Sequence, residues 1–234
     1  KLFDDLEEKN KELIMESKEM KTVVKILQRS QHLLSFPSIK CRVLASNVIL
    51  ACLKKLDETK HEEILLPHVH KAWPFLMKRL NEFSLSRELL SRKSPSFLII
   101  RAKQENTKHL EYQAGLLGVL ETISSLVDLC GDFLALKFKN DLWPVFRNIL
   151  SNYKGHFLGS NEKGKGRQSL SVKIFNSIFL CLDKFASSDE CVHFIKRDAL
   201  EIAEVSSVFL NTDDFPCSVA LSARKLMASL DEID

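Results

Sequence analysis

The chain has 234 residues, 45% of them hydrophobic, with only 7 Gly and 6 Pro to interrupt it, so it is long enough to bury a large core. Thirty-four basic residues stand against 31 acidic ones, a net charge of +3, which gives no electrostatic reason to expect nucleic acid as the main partner. β-Branched residues nowhere alternate with polar ones for long, and the longest apolar run, residues 115 to 138, is interrupted by Glu121, Asp128, Asp132 and Lys137. The expectation is an almost wholly helical chain with no membrane span.

In chain order, residues 1 to 29 are highly charged, with Leu6, Leu13, Met20 and Leu27 spaced by seven. The companion heptad positions hold Phe3, Asn10, Ser17, Val24 and Gln31, a poor coiled-coil seam. The segment to residue 35 reads instead as a long, mostly exposed helix that docks through Val23, Val24, Ile26 and Leu27. Phe36-Pro37-Ser38 ends it.

From Cys41 to Leu56 the positions 41, 44, 45, 48, 49, 52, 53 and 56 are all apolar or small, one face of a helix. After the polar turn at residues 57–60 comes a stretch with apolar residues at 65, 66, 69, 72, 73, 76, 77 and 80 and a Trp73-Pro74 pair. The arrangement returns further on: Trp143-Pro144 stands in a set at 142, 143, 146, 149, 150 and 153. Proline near a helix start occupies a position whose N–H has no partner, whereas Pro74 lies deeper and marks a kink or a late start. Residues 110–138 with 140–153, and 169–187 (Ile174, Phe175, Ile178, Phe179, Leu182, Phe185) with 190–210 (Ile195, Ala199, Ile202, Val205, Phe209), form two more pairs. Residues 217–230, with Val219, Ala223, Leu226, Met227 and Leu230, supply one more helix. Helix pairs unable to bury their faces alone are the unit of a solenoid. The fold class expected is therefore all-α, a HEAT-type α-solenoid of antiparallel helix pairs with about three to four repeats. It reads as a single fragment, residues 1–234, of a longer chain, carrying an insertion at 84–108 and a flexible loop at 155–168.

Candidates for chemistry are weak. Gly159 to Gly166 approaches a phosphate-cradling loop, but Gly166 stands where a hydroxyl must hold Mg²⁺, and no buried strand precedes it. An enzyme built on that loop is a reading the sequence disfavours. His68 and His70 are two residues apart and face different sides of a helix, and His61 is about two turns from His68, so no metal site is expected. The six cysteines are scattered without a CxxC pair and read as free, mostly buried thiols in a reducing compartment. At Cys130-Gly131-Asp132 the helix ends or bends, with Asp132 capping the next turn. No catalytic residue and no cofactor is expected.

The blocks Leu65 to Leu80, Cys130-Gly131-Asp132-Phe133-Leu134 with Phe138, and Asp141-Leu142-Trp143-Pro144 resemble the C-terminal part of the first Tel-two-interacting protein family. Pro216 to Leu230, with Ala223-Arg224, is similar to that family's last helical repeat; residues 84–108 and 155–168 depart from its pattern. The resemblance implies a non-catalytic HEAT-repeat scaffold of the Triple T co-chaperone complex. Such a scaffold supports maturation of phosphatidylinositol-3-kinase-related kinases, the TOR and DNA-damage kinases, with the Hsp90 system, in cytoplasm and nucleus. Its implied partners are the second Tel-two-interacting protein and the Tel-two protein. Lys71, Lys78, Arg79, Arg147, Arg224 and Lys225 are the charges expected to set register with a partner, and Trp73 and Trp143 are either partner anchors or core. The alternative is a helical-repeat adaptor for nuclear transport or nucleic acid, which requires a basic stripe. Acid and base stand side by side instead, as in Glu62-Glu63 near Lys71 and Asp141 near Arg147.

Overall fold

The computed structural model describes residues 2–36, 38–58, 62–91, 101–152, 170–189, 191–211 and 215–233; within these, the side chains of 2–17, 39, 58, 62–64, 82–91, 101–114, 132 and 170–171 are not described. The helices are α1 (Leu2–Leu33), α2 (Ile39–Glu58), α3 (Glu62–Ser91), α4 (Arg101–Leu129) and α5 (Gly131–Lys137). A π-helical segment (Phe138–Leu142) leads into α6 (Trp143–Ser151), followed by α7 (Leu170–Ser187), α8 (Val192–Ile195), α9 (Ala199–Ser207) with a 3₁₀ turn (Val208–Leu210), and α10 (Cys217–Asp231). No strand occurs among the described residues.

The packing is a two-layer solenoid. Helices α2, α4, α7 and α10 stack in succession as one layer, and α1, α3, α6 and α9 stack as the other. Chain order alternates between the layers, so each consecutive pair is one repeat and no helix must bury more than one broad stripe. The first helix is therefore part of the solenoid. Leu27 and Leu34 are fully buried, and Met20, Val23 and Val24 pack on the core, whereas Ile26 stays 44% exposed. The solenoid begins with α1 packed on α2, and α3 meets both α2 and α4.

One continuous hydrophobic core runs from Leu27 to Leu230. Its thickest part is aromatic. Phe138 lies 4.8 Å from Phe185 between ring centroids, and Phe209 is held among Phe175 (5.5 Å), Phe179 (5.3 Å) and Phe215 (4.7 Å), tilted and edge-on geometries that suit the ring quadrupole. The apolar stripe of α7 is wholly buried. That of α2 is not: Ala45, Ile49, Cys52, Leu53 and Leu56 face inward, while Leu44 is 63% and Val48 37% exposed. Ser46 takes a place in the core instead, because Gly118 of α4 brings the two backbones together there, and Ser46 Oγ satisfies itself on the Arg42 carbonyl at 3.1 Å.

The two Trp-Pro pairs sit differently. Pro74 and Pro67 lie inside α3, which runs on through both. Pro144 occupies the start of α6, just after the π-helical segment, where Trp143 N–H bonds back to the Phe138 carbonyl, five residues away. A proline at 144 cannot donate to the carbonyl of residue 140, and one widened turn absorbs that loss. At the other junction, α4 ends at Leu129, and Cys130 takes φ −155°, ψ 57° as the N-cap of α5, its Sγ donating back to the Leu126 carbonyl at 3.2 Å and not capping α5; the expected Asp132 cap lies outside the described side chains.

Candidate functional site

The two tryptophans do the same job at two successive joints. Trp73 is 4% exposed on α3, and its indole Nε1–H donates to Asp141 Oδ2 at 2.7 Å, in the π-helical segment of the next repeat. Trp143 is 4% exposed on α6 and donates to Glu201 Oε2 at 2.8 Å, on α9 of the repeat after that. Each indole thus buries its body and spends its single donor on a carboxylate one repeat further along. Glu201 also accepts an ion pair from Arg147 at 2.8 Å, and Asp141 one from Lys137 at 3.8 Å. Edge-on contacts from His70 and Trp73 to Phe133, at 6.0 and 6.1 Å, close the first joint. These tryptophans are core ties, not exposed anchors for a partner.

The layer of α2, α4, α7 and α10 is stitched in parallel. Lys184 of α7 reaches Asp128 and donates to the Ser124 carbonyl of α4 at 3.2 Å. One step on, Asp183 of α7 accepts from Lys225 Nζ and Ser229 Oγ of α10, both at 2.7 Å, while Ser222 donates to Asn176 at 3.2 Å. Asp183 is buried at 4% exposure, so its carboxylate depends on these two donors.

The charges expected to meet a partner are therefore divided. Arg147 and Lys225 are engaged within the chain. Lys71, Lys78 and Arg224 are exposed, and Arg79 is half-buried. The carboxylate partners of the indoles were not signalled by spacing, since they lie 68 and 58 residues away.

Chemistry of other kinds finds little footing among the described residues. No group of three or more His, Cys, Asp and Glu is placed to hold a metal ion, and no helix is long and apolar enough to cross a membrane. His68 is buried and His70 exposed, on different sides of α3; His61 and the glycine-rich segment at 159–166 lie outside the described residues. Burial, followed by the Lys71 charge, holds the His68 imidazole below its ordinary value. All six cysteines are free; Cys52, Cys130, Cys181 and Cys191 are buried, Cys41 is half-buried and Cys217 exposed. Burial pushes the Cys181 thiol up to about 12, which keeps it from acting as a nucleophile at neutral pH.

Comparison with known proteins fits this architecture. Residues 3–86, which cover α1, α2 and most of α3, match the family described as the TTI1 C-terminal TPR domain. TPR and HEAT units are both stacked helix pairs, and they differ in repeat length. TELO2-interacting protein 1 homolog of Homo sapiens is 30% identical over 125 residues, 53% of this chain but 9% of that protein's length. No solved structure matches the chain.

Proposed function

We propose that this chain, which carries a TTI1 C-terminal region, is a non-catalytic scaffold whose solenoid holds another subunit of a Tel-two-containing complex. The observation that carries the reading is the ladder of indole–carboxylate and lysine–carboxylate ties between successive repeats. A scaffold must present fixed surfaces without a reaction centre, and ties across every described joint of the later repeats hold the repeats in register for that purpose. The relative's name records interaction with TELO2. For this chain the partners proposed are the second Tel-two-interacting protein and the Tel-two protein. The wider role is maturation of phosphatidylinositol-3-kinase-related kinases alongside Hsp90, in cytoplasm and nucleus.

Lys71 and Lys78 are exposed on α3 and seven residues apart, so they lie near one line along that helix; Arg224 is exposed on α10. The test is co-purification of the chain with each of the two named subunits, beside a Lys71→Glu/Lys78→Glu variant and an Arg224→Glu variant. Stable 1:1 co-elution, weakened by a charge reversal at unchanged helicity, is the expected result. A folded chain that co-elutes with neither subunit overturns the proposal.

A further inference from the structure

A cleft of about 240 Å³ opens between the π-helical segment and the turn around α8, lined by Lys139, His193, Phe194 and Arg197. Three of the four lining side chains among the described residues are basic. Lys139 is 60% exposed and pairs with Asp198 at 3.7 Å, one end of its ammonium remaining open to solvent. His193 and Arg197 are exposed and have no carboxylate partner among the described residues. The neighbouring cations are already used: Lys137 pairs with Asp141, and Lys196 donates to the Ile233 carbonyl at 3.1 Å. Arg197 and His193, without a carboxylate partner among the described residues, thus stand beside Lys139 at one concave spot.

The backbone explains why Lys139 stands there. The widened turn ahead of Pro144 leaves Lys139 and Asn140 exposed while Phe138 and Leu142 on either side are fully buried. A π-helical turn of this kind commonly accompanies a functional surface. Across the cleft, Cys191 and Ile195 are fully buried and fix the α8 turn, so that His193, Phe194 and Arg197 are presented outward.

We propose that this cleft receives a phosphorylated serine or threonine of a partner polypeptide. A phosphate dianion suits Arg197 and His193 with Lys139 beside them in one cleft, where arginine supplies a planar fork and lysine a point charge that Asp198 only partly neutralises. The volume falls below the roughly 300–1,000 Å³ of sites that enclose a drug-sized ligand, so it suits one phosphorylated side chain better than a nucleotide. Phe194, 41% exposed at the rim, offers an apolar contact to a flanking residue of the peptide, which a free anion does not use. The inference does not depend on the scaffold reading, since it concerns a surface other than the exposed Lys71, Lys78 and Arg224.

The test is fluorescence anisotropy on the whole chain with a labelled peptide carrying one phosphoserine among acidic residues and followed by a leucine. Its unphosphorylated twin, inorganic phosphate and inositol hexakisphosphate are the comparators. The phosphopeptide should bind about tenfold more tightly than its twin and weaken as salt rises from about 50 to about 200 mM. Arg197→Ala and Lys139→Ala should each reduce affinity about tenfold at unchanged circular dichroism, and Lys54→Ala on α2 should not. Equal affinity for the two peptides, or binding indifferent to Arg197→Ala and Lys139→Ala, overturns the proposal. Binding of inorganic phosphate or inositol hexakisphosphate as tight as that of the phosphopeptide also overturns it, because the peptide's apolar contact would then contribute nothing.

Discussion

At the scale of single residues, the carboxylate partners make the tryptophans more than bulk. Trp143→Phe keeps most of the buried surface but removes the donor to Glu201, and Trp73→Phe does the same to Asp141. Both acceptors are about one-third exposed, so water partly replaces the lost bond. Each change should cost about 1–2 kcal/mol, read as a lower urea midpoint at unchanged slope. A cycle with Glu201→Gln should show non-additivity, since the two groups touch. Asp183 behaves differently because it is buried. Lys225→Met leaves that carboxylate leaning on the Ser229 hydroxyl and should destabilise by about 2–3 kcal/mol, while adding Asp183→Asn should restore part of the loss. His68 gives a pH signature. Its folded-state value lies below the unfolded one, so the unfolded chain binds the proton first, and stability falls as pH drops below about 6.5. His68→Gln should flatten the dependence below about pH 6.5.

At the scale of the element, spacing made the helices legible but not the arcs they bury. The α7 stripe was readable residue by residue because that helix has neighbours on several sides. On α2 the same spacing named Leu44 and Val48, which are exposed, and missed Ser46, which is buried. What decided this was the close approach at Gly118, a contact between helices that no periodicity in either one contains. A Cβ at Gly118 would meet the Ser46 Cβ at 3.5 Å, an ordinary contact. Gly118→Ala should therefore stabilise α4 by about 0.5–1 kcal/mol, measured by thermal unfolding, whereas Gly118→Leu should destabilise by overpacking. The deeper position of Pro74 set it apart from Pro144 in the sequence, and only the second Trp-Pro pair starts a helix. Pro74 lies inside α3 and removes a backbone bond there, so Pro74→Ala should raise stability by roughly 1–3 kcal/mol; Pro144→Ala, at a helix start, should change it by less than about 1 kcal/mol. The π-helical turn, and with it the exposure of Lys139, was not readable, because it comes from a missing bond and not from a pattern of side chains.

At the scale of the molecule, repetition was the strongest signal in the sequence, and the solenoid follows from it. The place of α1 in it was harder to read, because the charged first half of α1 carried a weak pattern while its end carries Leu27 and Leu34 into the core. The indole–carboxylate ties join segments 68 and 58 residues apart, and only a folded ladder brings them together. The chain holds two tryptophans, and both stand at joints between repeats, each against a carboxylate. Its intrinsic ultraviolet emission is therefore a gauge of how neighbouring units are seated, not of the interior at large. A bend imposed by a bound subunit would register as a change in colour or quenching at one joint or the other, with no label attached, and single-tryptophan variants would say which.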